Sequence, residues 1–134
     1  MKTSLCLLIL LAATFGCSGS GAPTQTVFKP PQWPALDKLS SDDVRSMVMS
    51  AEMGDWDSVK REVSTPEFKA AVDAFASTEV PEEFATDARK QAKEDAAKKF
   101  QALVAAGSGT GSIQETYKAA QDSLAEVRKP DPVE

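Results

Sequence analysis

Apolar positions fall into three regimes along this chain. Over residues 5–13 they run without interruption, over 18–35 they are sparse and aperiodic, and from Ser40 to Lys129 they recur every three or four residues. The last spacing is that of one face of an α-helix. Ser40 or Ser41, followed by Asp42 and Asp43, reads as a helix start with acids in the first turn, where the helix dipole favours them. Val44, Met47, Val48 and Ala51 then share a face. The phase breaks at Gly54 and restarts as Trp56, Val59 and Val63 behind Asp55 as the next cap. A straight helix would place an apolar residue near position 55, so Gly54 predicts a tight turn or a kink. Ser64-Thr65-Pro66-Glu67 opens a third stretch, with Pro66 in the first turn and Glu67 placed to close a capping box with Ser64. Phe68, Val72 and Phe75 form its stripe.

Val80-Pro81 separates that stretch from the longest predicted helix, 82–106, which at 1.5 Å per residue spans roughly 37 Å. Phe84, Ala88, Ala92, Ala96, Phe100 and Leu103 run down one side of it, with Glu94/Lys98 and Asp95/Lys99 as favourable pairs on the other. Aromatic ends and an alanine-rich middle let a neighbouring helix approach closely. Glycines 107, 109 and 111 mark a connection, and Ser112-x-x-Glu115 is a capping box for a last helix. There Ile113, Tyr117, Ala120, Leu124 and Val127 repeat as the seam of an antiparallel bundle. Pro130 and Pro132 forbid continuation. The expected fold is all-α: a small antiparallel four-helix bundle over 40–129, with one broken or kinked member and a short tail at 130–134. Gly54-Asp55-Trp56-x-x-Val59 is similar to the turn of helical hairpin repeats, but a single copy is a turn signal and not a solenoid.

The middle regime carries Pro23, Pro30, Pro31 and Pro34 among Ser, Gly and Thr. It predicts a disordered, flexible-to-extended tether over 17–39, able to lift a domain several tens of ångströms at roughly 3 Å per residue. Val27, Phe28 and Trp33 are too apolar for a pure spacer. Either Trp33 and Leu36 fold back onto the domain, or the segment meets a partner or a bilayer surface.

At the N-terminus, Lys2, the apolar run 5–13 and the small Gly16 have the layout of a secretory signal peptide over 1–16. The run is shorter than the roughly 20 residues of a spanning helix. Thr14-Phe15-Gly16-Cys17, followed by Ser18-Gly19-Ser20-Gly21, resembles the lipobox of bacterial lipoproteins. That resemblance implies cleavage after Gly16, a diacylglyceryl thioether on Cys17, further acylation of the new N-terminus by a chain such as palmitate, and anchoring in the bacterial cell envelope. The family favours Leu where Thr14 stands and a smaller residue than Phe15. Ordinary signal cleavage, an uncleaved anchor and a buried apolar helix therefore stay open beside lipidation. Ser18 is not the Asp that marks inner-membrane retention, which points to the outer membrane on its periplasmic side.

Charge and missing residue types narrow the chemistry. The net charge is -5, and loss of the signal would remove one base and no acid. A chain of this sign does not suit a phosphate backbone, so no nucleic-acid partner is expected. The only cysteines are Cys6 and Cys17; one leaves with the signal and the other takes the lipid, so no disulfide is expected. There is no histidine, which removes the usual zinc and copper ligands and histidine-based acid/base catalysis. Ser-x-x-Lys does not occur, and the glycine cluster follows a helix and not a strand. Asp55-x-Asp57 lacks the rest of a calcium loop and reads as capping; Asp42-Asp43 and Glu82-Glu83 are first-turn acids. No catalytic residue, metal or cofactor is expected.

Residues 54–129 also resemble, in pattern, the bundles of the cytochrome c′ type: Phe100 and Leu103, the Gly107 turn, then Tyr117 and a closing Arg128. The resemblance implies the scaffold alone. The haem-binding Cys-x-x-Cys-His of that family is replaced here by Ser123-Leu124-Ala125-Glu126-Val127, and Met47, Met49 and Met53 read as core filler and not as haem ligands. The functional expectation is a membrane-anchored, non-catalytic helical module that acts by protein-protein contact or as a structural part, with Trp33, Trp56 and Tyr117 as candidate contacts to an envelope protein. Two alternatives remain: a bundle binding a small apolar ligand beside Phe68, Phe75, Phe84 and Phe100, or a haem-less cytochrome c′-like bundle.

Overall fold

A computed structural model describes residues 32–109 and 111–130, and every regular element among them is helical. The all-α class read from the periodicity is therefore the class the chain forms. In order, the elements are α1 (Pro34–Lys38), α2 (Asp42–Glu52), α3 (Trp56–Val63), α4 (Pro66–Ser77), a 3₁₀ turn (Glu82–Phe84), α5 (Asp87–Gly107) and α6 (Ile113–Arg128).

The most extensive pairing is between α5 and α6. Ser112 accepts a hydrogen bond from the Glu115 backbone N–H and so starts α6 where the capping box places it. Arg89, in the first turn of α5, donates to the Lys129 carbonyl just beyond α6 at 2.6 Å, so the two helices run antiparallel along their length. On α6 the buried positions include Tyr117, Ala120, Leu124 and Val127, four of the five in the predicted seam. On α5 the buried set includes Ala96, Phe100 and Leu103, while Ala88 is exposed. Of the two pairs expected on its outer side, Asp95 and Lys99 meet at 2.7 Å.

The long helix begins later than its sequence suggested. Pro81 initiates only a single 3₁₀ turn, Ala85 leaves helical geometry, and Thr86 caps α5 by accepting from the Arg89 N–H. This break releases Phe84 from the α5 stripe and lets its ring stack on Trp33, with centroids 6.0 Å apart. At the other junction Thr65, and not Ser64, is the N-cap of α4, accepting from the Phe68 N–H at 3.2 Å. Ser64 instead donates to the Lys60 and Gly107 carbonyls, tying α3 to the end of α5.

Around Gly54 the chain makes a reversal and not a kink. Gly54 has φ +75°, a conformation that glycine adopts without steric cost. The Gly54 N–H donates to the Ala51 carbonyl, and the Asp55 N–H to the Ser50 carbonyl. These are the paired bonds of a Schellman stop. Ser46 of α2 then reaches Glu62 of α3, equally far on the other side of Gly54. The single broken bundle member is therefore a helical hairpin, α2 against α3.

Trp33 to Leu39 overturn the expected domain boundary. In place of a tether reaching residue 39, Trp33 is buried at 4 % exposure, Ala35 and Leu39 are buried, and Leu36 packs against the same core. The Trp33 ring also lies 6.0 Å from Phe75, so α1 is fastened onto α4. Of the two readings for this segment, folding back onto the domain is the observed one. The rest of the expected tether, the signal and the tail from 131 lie outside the described residues.

Candidate interaction surface

Two of the three aromatic residues singled out from sequence come together. Asp55 caps α3 by accepting from the Ser58 N–H at 3.1 Å and the Ser58 hydroxyl at 2.6 Å. Those two bonds, the side-chain one first, hold its carboxyl below the ordinary aspartate range, with Arg61 adding a smaller effect in the same direction. The cap makes Trp56 the first residue of α3. From α6, the Tyr117 ring meets that of Trp56 in a T-shaped arrangement, with centroids 5.9 Å apart and planes at 67°, a geometry favoured by the ring quadrupoles.

The pair lies in an open groove of about 440 Å³ between α2 and α6. Val48, Ala51 and Glu52 line the α2 wall, and Gln114, Lys118 and Gln121 flank Tyr117 on α6. Met49 of α2 and Met53, the residue that caps its C-terminus, are 57 % and 74 % exposed. They lie one helical turn apart and close to the Gly54 reversal. Only Met47 of the three methionines is core, so the filler reading is corrected for the other two. No rule of spacing marks them, because their exposure follows from how α2 is rolled against α3.

Burial raises the Tyr117 pKa, the Glu52 carboxylate pushes it further in the same direction, and the Gln121 side chain opposes both. A raised value means that the folded state disfavours the phenolate. The associated stability is whole below the unfolded value near 10 and is lost as the pH rises through the folded value. Tyr117 is the only tyrosine, so tyrosinate absorbance follows it without overlap. Its midpoint is expected above that of the unfolded chain and closer to it in a Glu52→Gln variant; equal midpoints for folded and unfolded chains would contradict the burial described.

Trp33 is not part of this surface. Its ring is enclosed by Phe75 and Phe84, and its place among the candidate contacts is withdrawn because a side chain at 4 % exposure cannot carry a docking contact. Cys17 lies outside the described residues. The aromatic residues expected to border a ligand space contact each other: Phe68 and Phe100 are 6.3 Å apart, and Phe75 lies against Trp33. Among the described residues no group of three or more His, Cys, Asp or Glu converges as a metal site, and no helix is long and apolar enough to cross a membrane.

Lys93 is a polar position that the sequence pattern does not flag. It is buried, its ammonium donates to the Ala76 carbonyl at 2.6 Å, and it lies 5.8 Å from the Phe75 ring centroid. Ala76 is in the last turn of α4, where carbonyls lack helical partners and a cation suits the dipole. Lys93 thus serves the fold by closing α4 onto α5.

No known protein family, curated protein or solved structure matches the chain.

Proposed function

We propose that this chain is a lipid-anchored protein of the bacterial cell envelope, held through Cys17, whose helical domain works by contact with protein and not by catalysis. For the anchor, the support is the resemblance of Thr14-Phe15-Gly16-Cys17 to a lipobox. For the domain, one observation carries the reading: the half-buried Trp56, backed by the buried Tyr117, lines the open α2/α6 groove, with the exposed Met49 and Met53 on the same helical hairpin. Aromatic residues and methionine are the types that interfaces favour.

Two measurements test the two halves. In cells fed a clickable palmitate, the wild-type chain is expected to take the label and Cys17→Ser to lose it; labelling that survives the substitution would remove the anchor. A photocrosslinking residue at position 53 in native envelopes is expected to give discrete adducts that Trp56→Ala weakens. The same residue at Gln101, exposed on α5, should give none. Equal or absent crosslinking from the two positions would remove the contact reading.

A further inference from the structure

Resting on that reading of the α2/α6 groove as a contact surface, we infer that the groove is a two-fold self-association site, its occupant a second copy of this chain. The layout of charge carries the argument. Glu52 on the α2 wall and Lys118 on the α6 wall are the charged residues lining the groove, and neither is ion-paired with a described residue. They stand on opposite walls of the same groove, Lys118 next to Tyr117 in the chain and Glu52 lining the groove with it. A two-fold axis laid along the groove sets α2 of each copy over α6 of the other. Each Glu52 then faces Lys118 of the second copy, and one acid and one base yield two ion pairs, because an isologous interface makes every contact twice.

The remainder of the surface agrees with this occupant. A net charge of -5 opposes self-association at an average patch, whereas the lining of this groove is balanced. Trp56 of both copies, each backed by the buried Tyr117, then forms the apolar centre, with the charge pairs at its edge, as in interfaces whose aromatic anchors are ringed by polar groups.

The full chain, purified in detergent, is expected to sediment as a dimer at about 100 μM, a concentration at which a modest interface of this kind is occupied. Glu52→Lys and Lys118→Glu each place like charges opposite one another and are expected to weaken the dimer at least about tenfold. An equimolar mixture of the two single variants should recover the dimer, since their altered patterns complement each other, and so should the chain carrying both changes. Circular dichroism verifies that each variant keeps its helices. A monomeric wild type at that concentration, or a mixture that fails to recover, overturns the inference. Crosslinks from position 53 to a different protein, with none at twice the chain mass, would overturn self-association and leave the contact reading standing; no crosslink at all removes both.

Discussion

Trp33→Ala is expected to lower the unfolding free energy by about 3–5 kcal/mol, the range for removing a large aromatic side chain from a packed core. The indole is 4 % exposed and lies 6.0 Å from both Phe75 and Phe84. It therefore links α4 to the 3₁₀ turn that precedes α5, and it holds α1 beneath them. Its loss leaves a cavity bordered by side chains on three elements, which cannot all close in at once. Urea unfolding followed by circular dichroism measures the effect. Trp33→Phe is the informative control: the Trp33 Nε1 donor is buried with no hydrogen-bond partner among the described residues, so phenylalanine keeps a ring and removes an unmet donor. It should cost much less than alanine. A Trp33→Ala loss below about 1 kcal/mol, the size of an ordinary surface change, would mean that residues 33–39 are dispensable to the core.

Gly107→Ala is the second large effect, and its sign is opposite to what helix propensity suggests. Alanine in a helix is favoured over glycine by about 1 kcal/mol, and Gly107 is the last residue of α5. A Cβ at this position would lie 2.4 Å from Val63 Cγ2 and 3.0 Å from Ser64 Oγ. Val63 is fully buried and β-branched, so it has little freedom to turn away. Ser64 is held by its bonds to the Lys60 and Gly107 carbonyls. Gly107→Ala is therefore expected to destabilise by about 1–3 kcal/mol, as overpacking does. Val63→Ala should relieve part of that penalty, so the double variant should lose less than the sum of the single losses. Additive losses, or a gain from Gly107→Ala alone, would show that α3 and α5 are not in close contact there.

These two sites lie where sequence and structure part. Local signals did well where a local rule operates. Ser112 and Asp55 cap their helices as read, Gly54 stops α2, and Tyr117, Ala120, Leu124 and Val127 face the core at the predicted interval. Reading failed where two signals of similar strength compete. Thr65 displaced Ser64 as a cap because Ser64 finds a partner on α5. The start of α5 moved from 82 to Asp87 because Thr86 caps it and Phe84 gains a stacked ring by leaving the helical stripe. Proline near Trp33 suggested a tether, yet Pro34 at a first-turn position starts a short helix, and a large indole next to it supplies the buried area that the tether reading omitted.

The candidate surface was legible in the same uneven way. The sequence offers Trp56 and Tyr117 as candidate contacts, but nothing in their separation of 61 positions announces an edge-to-face pair. Trp33 was of equal standing until the packing enclosed it. Met49 and Met53 stand at helical spacing, which by itself reads as core, yet both are exposed.

By itself the sequence determined the all-α class, the break at Gly54 and the α6 seam, because each depends on residue type and on spacing within a turn or two. It also carries the lipobox-like pattern on which the proposed anchor at Cys17 rests. The tertiary structure alone decided that Trp33 to Leu39 join the core, that α2 and α3 form a hairpin, that Gly107 must lack a side chain, and that Trp56 and not Trp33 is left partly exposed. The physical reason is common to these cases. Helical periodicity states how many faces of a helix are apolar, whereas the roll and approach of one helix on another are set by packing between residues distant in the chain, and that packing decides which apolar side chains are left over for a partner.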